Sequence, residues 1–214
     1  MTIIPVINCD SAKCVRKKLE ALKKFVPRVT RVHCDVGEKP VSKIRIPLFS
    51  RVFSAYANRF SIELHCMVSE KHFFSKTHAS KGVKLVYYHL REIHNMERFE
   101  LHTHAWKKKG IEIGVVVQCD DSLHNLVLPK GIKRVLVLGV HSGPAGQKFN
   151  PRALRVISFL KKKFPYAILT VDGGITPAIA RKLSRVEVSR VTSSAYIWES
   201  AQPQNAYQRL LNSK

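Results

Sequence analysis

Four side chains that could share one divalent cation sit near the ends of three apolar stretches: His33 and Asp35, His65, and Asp172. Val32-His33-Cys34-Asp35-Val36 and Ile62-Glu63-Leu64-His65-Cys66-Met67 read as strands, whose side chains alternate between faces. His33 and Asp35 therefore share one face of the first, and Glu63, His65 and Met67 share one face of the second. Ala167 to Val171 is a third apolar run, followed by Asp172-Gly173-Gly174-Ile175-Thr176-Pro177, where Thr176 is a helix N-cap and Pro177 a first helical residue. A carboxylate at the C-terminal end of a parallel strand, beside exposed backbone N–H groups, is where α/β enzymes hold chemistry and phosphate. The two glycines alone fit a tight turn as well, and a single histidine is more often a hydrogen-bonded structural residue than a ligand. The reading rests on four residues from three strand ends. If the polar faces point to one interior, two imidazoles and two carboxylates converge, a set that suits Zn, Fe, Co or Mn better than Mg, whose sites favour oxygen and water.

The elements that must position these residues alternate along the whole chain. Strands are expected near 2–8, 29–36, 60–67, 83–89, 111–118, 134–140, 167–171 and 187–192. Amphipathic helical stretches are expected near 11–25, 45–57, 70–80, 92–109, 122–127, 151–164, 176–184 and 195–212. Eight such alternations with no internal linker predict a single α/β domain over residues 1–214, a closed (β/α)8 barrel rather than an open sheet. With 214 residues and 45% hydrophobic content, one sizeable core is within reach.

No apolar run is long enough to span a membrane, and Met1 to Asn8 lacks the basic start and long apolar centre of a signal peptide, so a cytoplasmic location is expected. Five cysteines, an odd number with no Cys-x-x-Cys, argue against a disulfide framework or a zinc finger. Cys34 and Cys66 alternate with the candidate ligands and are expected to face the surrounding helices. His72, His78, His94 and His124 have no ligand-like neighbours and are expected at the surface, whereas His89 ends the fourth strand and either lines the pocket or is a satisfied interior histidine, the second being favoured.

A formal net charge of +22 is unusual for a metabolic enzyme. Such a charge attracts sugar phosphates, nucleic acid and anionic surfaces alike. Much of it lies on segments with helical apolar spacing, such as Lys13 to Lys24 around Val15, Leu19 and Leu22, and Arg152 to Lys163 around Leu154, Val156, Ile157 and Leu160. These read as outer helices with a buried stripe and a basic solvated face. Because no aromatic residues interleave with the basic ones and no recognition motif is present, nucleic acid is expected to bind weakly and without sequence preference. Self-association is left open.

In the order and spacing of its motifs, the chain resembles the ribulose-phosphate 3-epimerase family. The matching pieces are His33-Cys34-Asp35, His65-Cys66-Met67, Gly114 to Val117, the loop Gly143-Pro144-Ala145-Gly146-Gln147, Phe149 with Pro151, the run from Val171 to Ile175, and Ser193-Ser194-Ala195. The resemblance implies a (β/α)8 barrel and a metal-dependent isomerase that inverts C3 of a ketose phosphate, D-ribulose 5-phosphate to D-xylulose 5-phosphate, through an enediolate. It assigns Asp35 and Asp172 as the acid/base pair, and His33, Asp35, His65 and Asp172 as ligands of one divalent metal. Met67 belongs to an apolar wall. The substrate phosphate falls on backbone N–H groups of Gly173, Gly174, Ser193 and Ser194, with Gly143 and Gly146 closing over the sugar.

Departures from the family pattern fall on the substrate-facing shell: Val6 where serine is usual, Gly37-Glu38-Lys39 for a Met-Asp-Gly sequence, His141 for an asparagine, and Pro144 and Ala145 in the glycine loop. They leave two alternatives standing. One is a sister 3-epimerase acting on a hexulose 6-phosphate; the other is a barrel weakened in catalysis that serves as a basic anion-binding or nucleic-acid-binding protein.

Overall fold

Eight parallel strands in sequential order close a barrel, as the alternation of elements predicts. The computed structural model describes residues 1–25, 28–37, 46–141, 143 and 146–213. Glu38, Lys39, Ser142, Pro144 and Ala145 lie outside the described residues. The strands are β1 (Thr2–Ile7), β2 (Arg31–Gly37), β3 (Ser61–Met67), β4 (Val83–His89), β5 (Glu112–Gln118), β6 (Arg134–Leu138), β7 (Ile168–Asp172) and β8 (Arg190–Ser193). Their centres are continuous runs of buried aliphatic residues, such as Val115 to Val117 and Val135 to Leu138, as parallel strands covered on both faces require.

The helices are α1 (Ala12–Lys23), α2 (Ile46–Tyr56), α3 (Met96–Lys108), α4 (Arg152–Lys163), α5 (Pro177–Arg185), α6 (Ala195–Trp198) and α7 (Pro203–Leu211). Ser11 caps α1 by accepting from the Cys14 N–H, and Val15, Leu19 and Leu22 are its buried stripe. In α4 the stripe is Ala153, Val156, Ile157 and Leu160. Thr176 caps α5, with Pro177 opening it.

Three expected helices differ. The stretch expected near 70–80 holds only two single 3-10 turns, Glu70–His72 and Lys76–Ala79. Between them Phe74 takes φ +57°, a conformation costly for an aromatic residue, and packs its ring against Tyr88, Phe99, His102 and Trp106. Residues 122–127 form turns; the Asp121 carboxylate accepts from the Gln118 N–H and closes the chain on itself there. The last helix is divided, because Pro203 offers no N–H to continue a preceding turn and instead starts α7.

Two further expectations are corrected. Cys9 and Cys14 form a disulfide between the end of β1 and the first turn of α1, an arrangement that the odd cysteine count conceals. His78, expected at the surface, is buried, with Nδ1 2.8 Å from the Tyr88 hydroxyl. Burial lowers its pKa to about 4, so it sits neutral beside that hydroxyl.

By contact density the chain divides into two compact units. One holds Val6–Gly114 with Pro129–Gly131, and the other holds Met1–Pro5, Val115–Leu128 and Ile132–Lys214. Among the described residues no helix is long and apolar enough to cross a membrane.

Candidate active site

Within the first unit, register does what the alternation of side chains predicts. Parallel pairing sets His33 opposite Glu63 and Asp35 opposite His65, so the polar faces of β2 and β3 coincide. His33 and His65 are buried, and their rings lie 5.9 Å apart. One carboxylate oxygen faces both: Asp35 Oδ1 is 3.5 Å from His33 Nε2 and 3.2 Å from His65 Nδ1. Burial alone would push the Asp35 pKa up. The hydrogen bonds that His33 and His65 offer outweigh it and hold the carboxyl well below the usual carboxylate range. Three ligand-type groups are thus gathered on two adjacent strands, and this His/Asp cluster could bind a metal.

Cys34 and Cys66, at the intervening positions, are buried thiols whose pKa values burial raises. Glu63, sharing the ligand face, is buried and meets the Arg31 guanidinium at 3.4 Å. Met67 ends β3 half-buried, opposite Gly37. The interior histidine that ends β4 is more closely involved than expected: His89 Nε2 lies 2.8 Å from His65 Nε2, with the rings roughly parallel at 5.0 Å. Burial, together with the neighbouring His65 and Arg91, lowers the His89 pKa to about 3. Lys18, assigned by its sequence to a solvated face, is half-buried instead and donates from Nζ to the Asn8 carbonyl at 2.8 Å. Burial lowers its pKa, while Asp35 and Cys34 pull in the opposite direction.

Within the second unit, β7 ends at Asp172, and Val171 is paired with Val191 of β8, so Thr192 is the next residue across. The buried Thr192 hydroxyl donates to Asp172 Oδ1 and fixes that carboxylate. The Asp172 carbonyl accepts from the Gly139 N–H at 2.6 Å, and the Gly139 carbonyl accepts from the Asn150 N–H at 2.7 Å. This ladder draws the chain after β6 over the end of β7. Gly173 and Gly174 have φ +95° and +66°, and a Cβ on either would collide with its neighbour, Val140 for the first and the Phe149 backbone for the second.

Ser193 is buried and donates its hydroxyl to the Ile175 carbonyl at 3.3 Å, which leaves the side chain committed within the protein; Ser194 precedes the short α6. His141 is exposed, 3.3 Å through Nε2 from the Asn150 amide, and its carbonyl accepts from Gln147 at 2.9 Å. Gly143 and Gly146 lie in the same loop with positive φ.

Sequence reasoning missed Thr192 and Lys18, and it left His89 as packing. Thr192 carries a weak signal, since it precedes the Ser193-Ser194 pair by one residue; only the register across β7 and β8 reveals its partner.

A closed barrel of parallel strands alternating with helices is the (β/α)8 architecture, whose enzymes keep their active sites at the C-terminal ends of the strands. The sequence model of the Ribulose-phosphate 3 epimerase family matches residues 4–198, and the chain belongs to that family. Among curated relatives, Ribulose-phosphate 3-epimerase of Schizosaccharomyces pombe is 25% identical over 71% of this chain and 65% of its own length. Its counterpart from Helicobacter pylori strain J99 is 28% identical over 71% of this chain and 70% of its own length. The match to the first thus spans just under two thirds of that relative. In fold, the chain is similar to 3-hexulose-6-phosphate synthase from Salmonella typhimurium, with a TM-score of 0.75 at 16% identity over 100% of this chain and 98% of that one.

Proposed function

We propose that this chain is an isomerase that inverts C3 of a phosphorylated ketose, taking D-ribulose 5-phosphate to D-xylulose 5-phosphate through an enediolate. The observation that carries the reading is the single oxygen of Asp35 facing two buried imidazole nitrogens at 3.5 and 3.2 Å. An ionised carboxylate with two imidazoles converging on one point is the donor chemistry of a transition-metal site. Asp172, at the end of β7, is assigned as the fourth member on the family resemblance. Zn, Fe, Co or Mn suits this nitrogen and oxygen mixture better than Mg. Bound there, the cation would stabilise the negative charge that develops on the ketone and hydroxyl oxygens of the substrate.

The proton traffic falls to this chain's carboxylates. Asp35 and Asp172 act from opposite faces of C3, one removing the proton α to the ketone and the other returning one. Asp35 stands ready as a base because its two histidines keep it ionised. Thr192 holds the Asp172 oxygen in place. Backbone N–H groups of Gly173, Gly174, Ser193 and Ser194 take the phosphate; Met67 supplies apolar wall, and Gly143 and Gly146 border the sugar. Membership of the family, and relatives that carry the epimerase name, support this assignment.

NMR of the pure protein with ribulose 5-phosphate in D2O tests the reaction. Solvent deuterium should enter C3 as xylulose 5-phosphate appears, and Asp172→Asn should slow turnover at least ~10²-fold, the usual contribution of a positioned acid/base. Near-normal turnover in that variant would sink the assignment.

A further inference from the structure

His65 has both ring nitrogens engaged. Nδ1 is 3.2 Å from Asp35 Oδ1, and Nε2 is 2.8 Å from His89 Nε2. Two imidazole nitrogens at that distance bond only if one donates and the other accepts, so the tautomers of His65 and His89 are tied together. With no cation bound, the ionised Asp35 can only accept. His65 therefore carries its proton on Nδ1, its Nε2 accepts, and His89 donates from Nε2. A metal ligand must instead present a bare lone pair. Nδ1 is the His65 nitrogen on the Asp35 side, so ligation there requires the His65 proton to sit on Nε2. The hydrogen bond to His89 then reverses.

We infer that His89 is a positioning residue that presents His65 Nδ1 to a divalent transition metal by switching tautomer together with it. In the metal-bound arrangement His65 donates from Nε2, while His89 accepts at Nε2 and holds its own proton on Nδ1. Each ring keeps one N–H throughout. The proton lost from His65 Nδ1 is matched by one gained at His89 Nδ1 through solvent, so the pair releases none. Ligating histidines in general donate their other N–H to a partner that fixes ring orientation. Here the partner is a second buried imidazole, one that can serve as donor before the metal arrives and as acceptor afterwards. The inference rests on the metal site proposed above.

The deciding experiment is ¹⁵N NMR of ring-labelled histidine during titration of the metal-free protein with Zn(II). The His89 Nε2 resonance should move from protonated to bare character, with Nδ1 moving the opposite way, as the first equivalent binds. An unchanged His89 tautomer, or Zn(II) carried on His65 Nε2, overturns the inference. Two variants add a second readout. His89→Leu, which can neither donate nor accept, should weaken Zn(II) binding by roughly 10- to 100-fold. His89→Gln, which can do both, should recover most of that loss.

Co(II) absorption spectra of the variants report ligand geometry apart from stability. A normal spectrum and affinity in His89→Leu count against the inference while leaving the epimerase reading intact. Zn(II) binding with the tautomer switch but no deuterium exchange at C3 does the reverse. A wild-type protein that binds no Zn(II) overturns the positioning role and the metal site together.

Discussion

Oδ1 of Asp35 carries two opposed demands. Burial disfavours its charge, and the two imidazoles that overcome this are the groups a cation would displace from it. Removing either imidazole should therefore remove a ligand as well as a partner. Elemental analysis of purified protein should find about one transition-metal ion per wild-type chain and little in His33→Ala or His65→Ala, since each substitution removes one of the nitrogen donors that hold the ion. Full metal content in both variants would show that the ion sits elsewhere.

At this scale the sequence was informative wherever a residue's role follows from strand alternation: His33, Asp35 and His65 come together as their spacing predicts. It was uninformative wherever a role depends on a neighbouring strand. His89 meets His65 only because β3 and β4 lie side by side, with His65 opposite Tyr87 two residues before His89. Thr192 meets Asp172 only through the β7 and β8 register. Lys18 looked like one more basic residue on a solvated helix face, and only the carbonyl of Asn8 at the end of β1 reveals that it turns inward.

The turn from Asp172 to Thr176 was the most legible element, and its glycines are separable in their reasons. Gly110 has φ +76° with open space where a Cβ would go, whereas Gly174 has φ +66° with the Phe149 backbone in that space. Gly110→Ala should cost only the left-handed strain, roughly 1–2 kcal/mol. Gly174→Ala should cost clearly more, because backbone cannot rotate aside as a side chain can, and it should disturb the proposed phosphate site as well. Denaturant unfolding of the two variants measures the difference. Equal losses would mean that Phe149 yields freely and that Gly174 serves the turn alone.

Elsewhere the strands were placed within a few residues, since buried aliphatic runs have few other readings. The helices failed where local chemistry overrode periodicity. Phe74 is pulled into an aromatic cluster across what looked like a helix, and Pro203 divides the last one. The misplaced His78 follows from the first of these, because a segment expected to be an amphipathic helix folds down onto Tyr88 instead.

For the whole molecule, the net charge of +22 has to be reconciled with a small anionic substrate. Apart from Lys18, the basic residues of α1 and α4 stand opposite buried stripes, as solvated helix faces do, and Arg152, Arg155, Lys162 and Lys163 are exposed. Charge placed this way raises the potential around the protein without supplying contacts to any one ligand. Its effect should then lie in encounter. Raising salt from about 0.1 to 1 M shortens the screening length from ~10 Å to ~3 Å, so kcat/KM for a phosphorylated ketose should fall up to roughly tenfold while kcat holds. Nucleic acid should bind weakly at physiological salt, with a steep salt dependence and no sequence preference, since phosphate contacts carry no base information. Steady-state kinetics across the salt series and a gel-shift titration read the two effects separately. A flat kcat/KM would remove the steering role. Sequence-selective binding at nanomolar concentration, with no exchange at C3, would make the basic surface the functional one and the barrel its support.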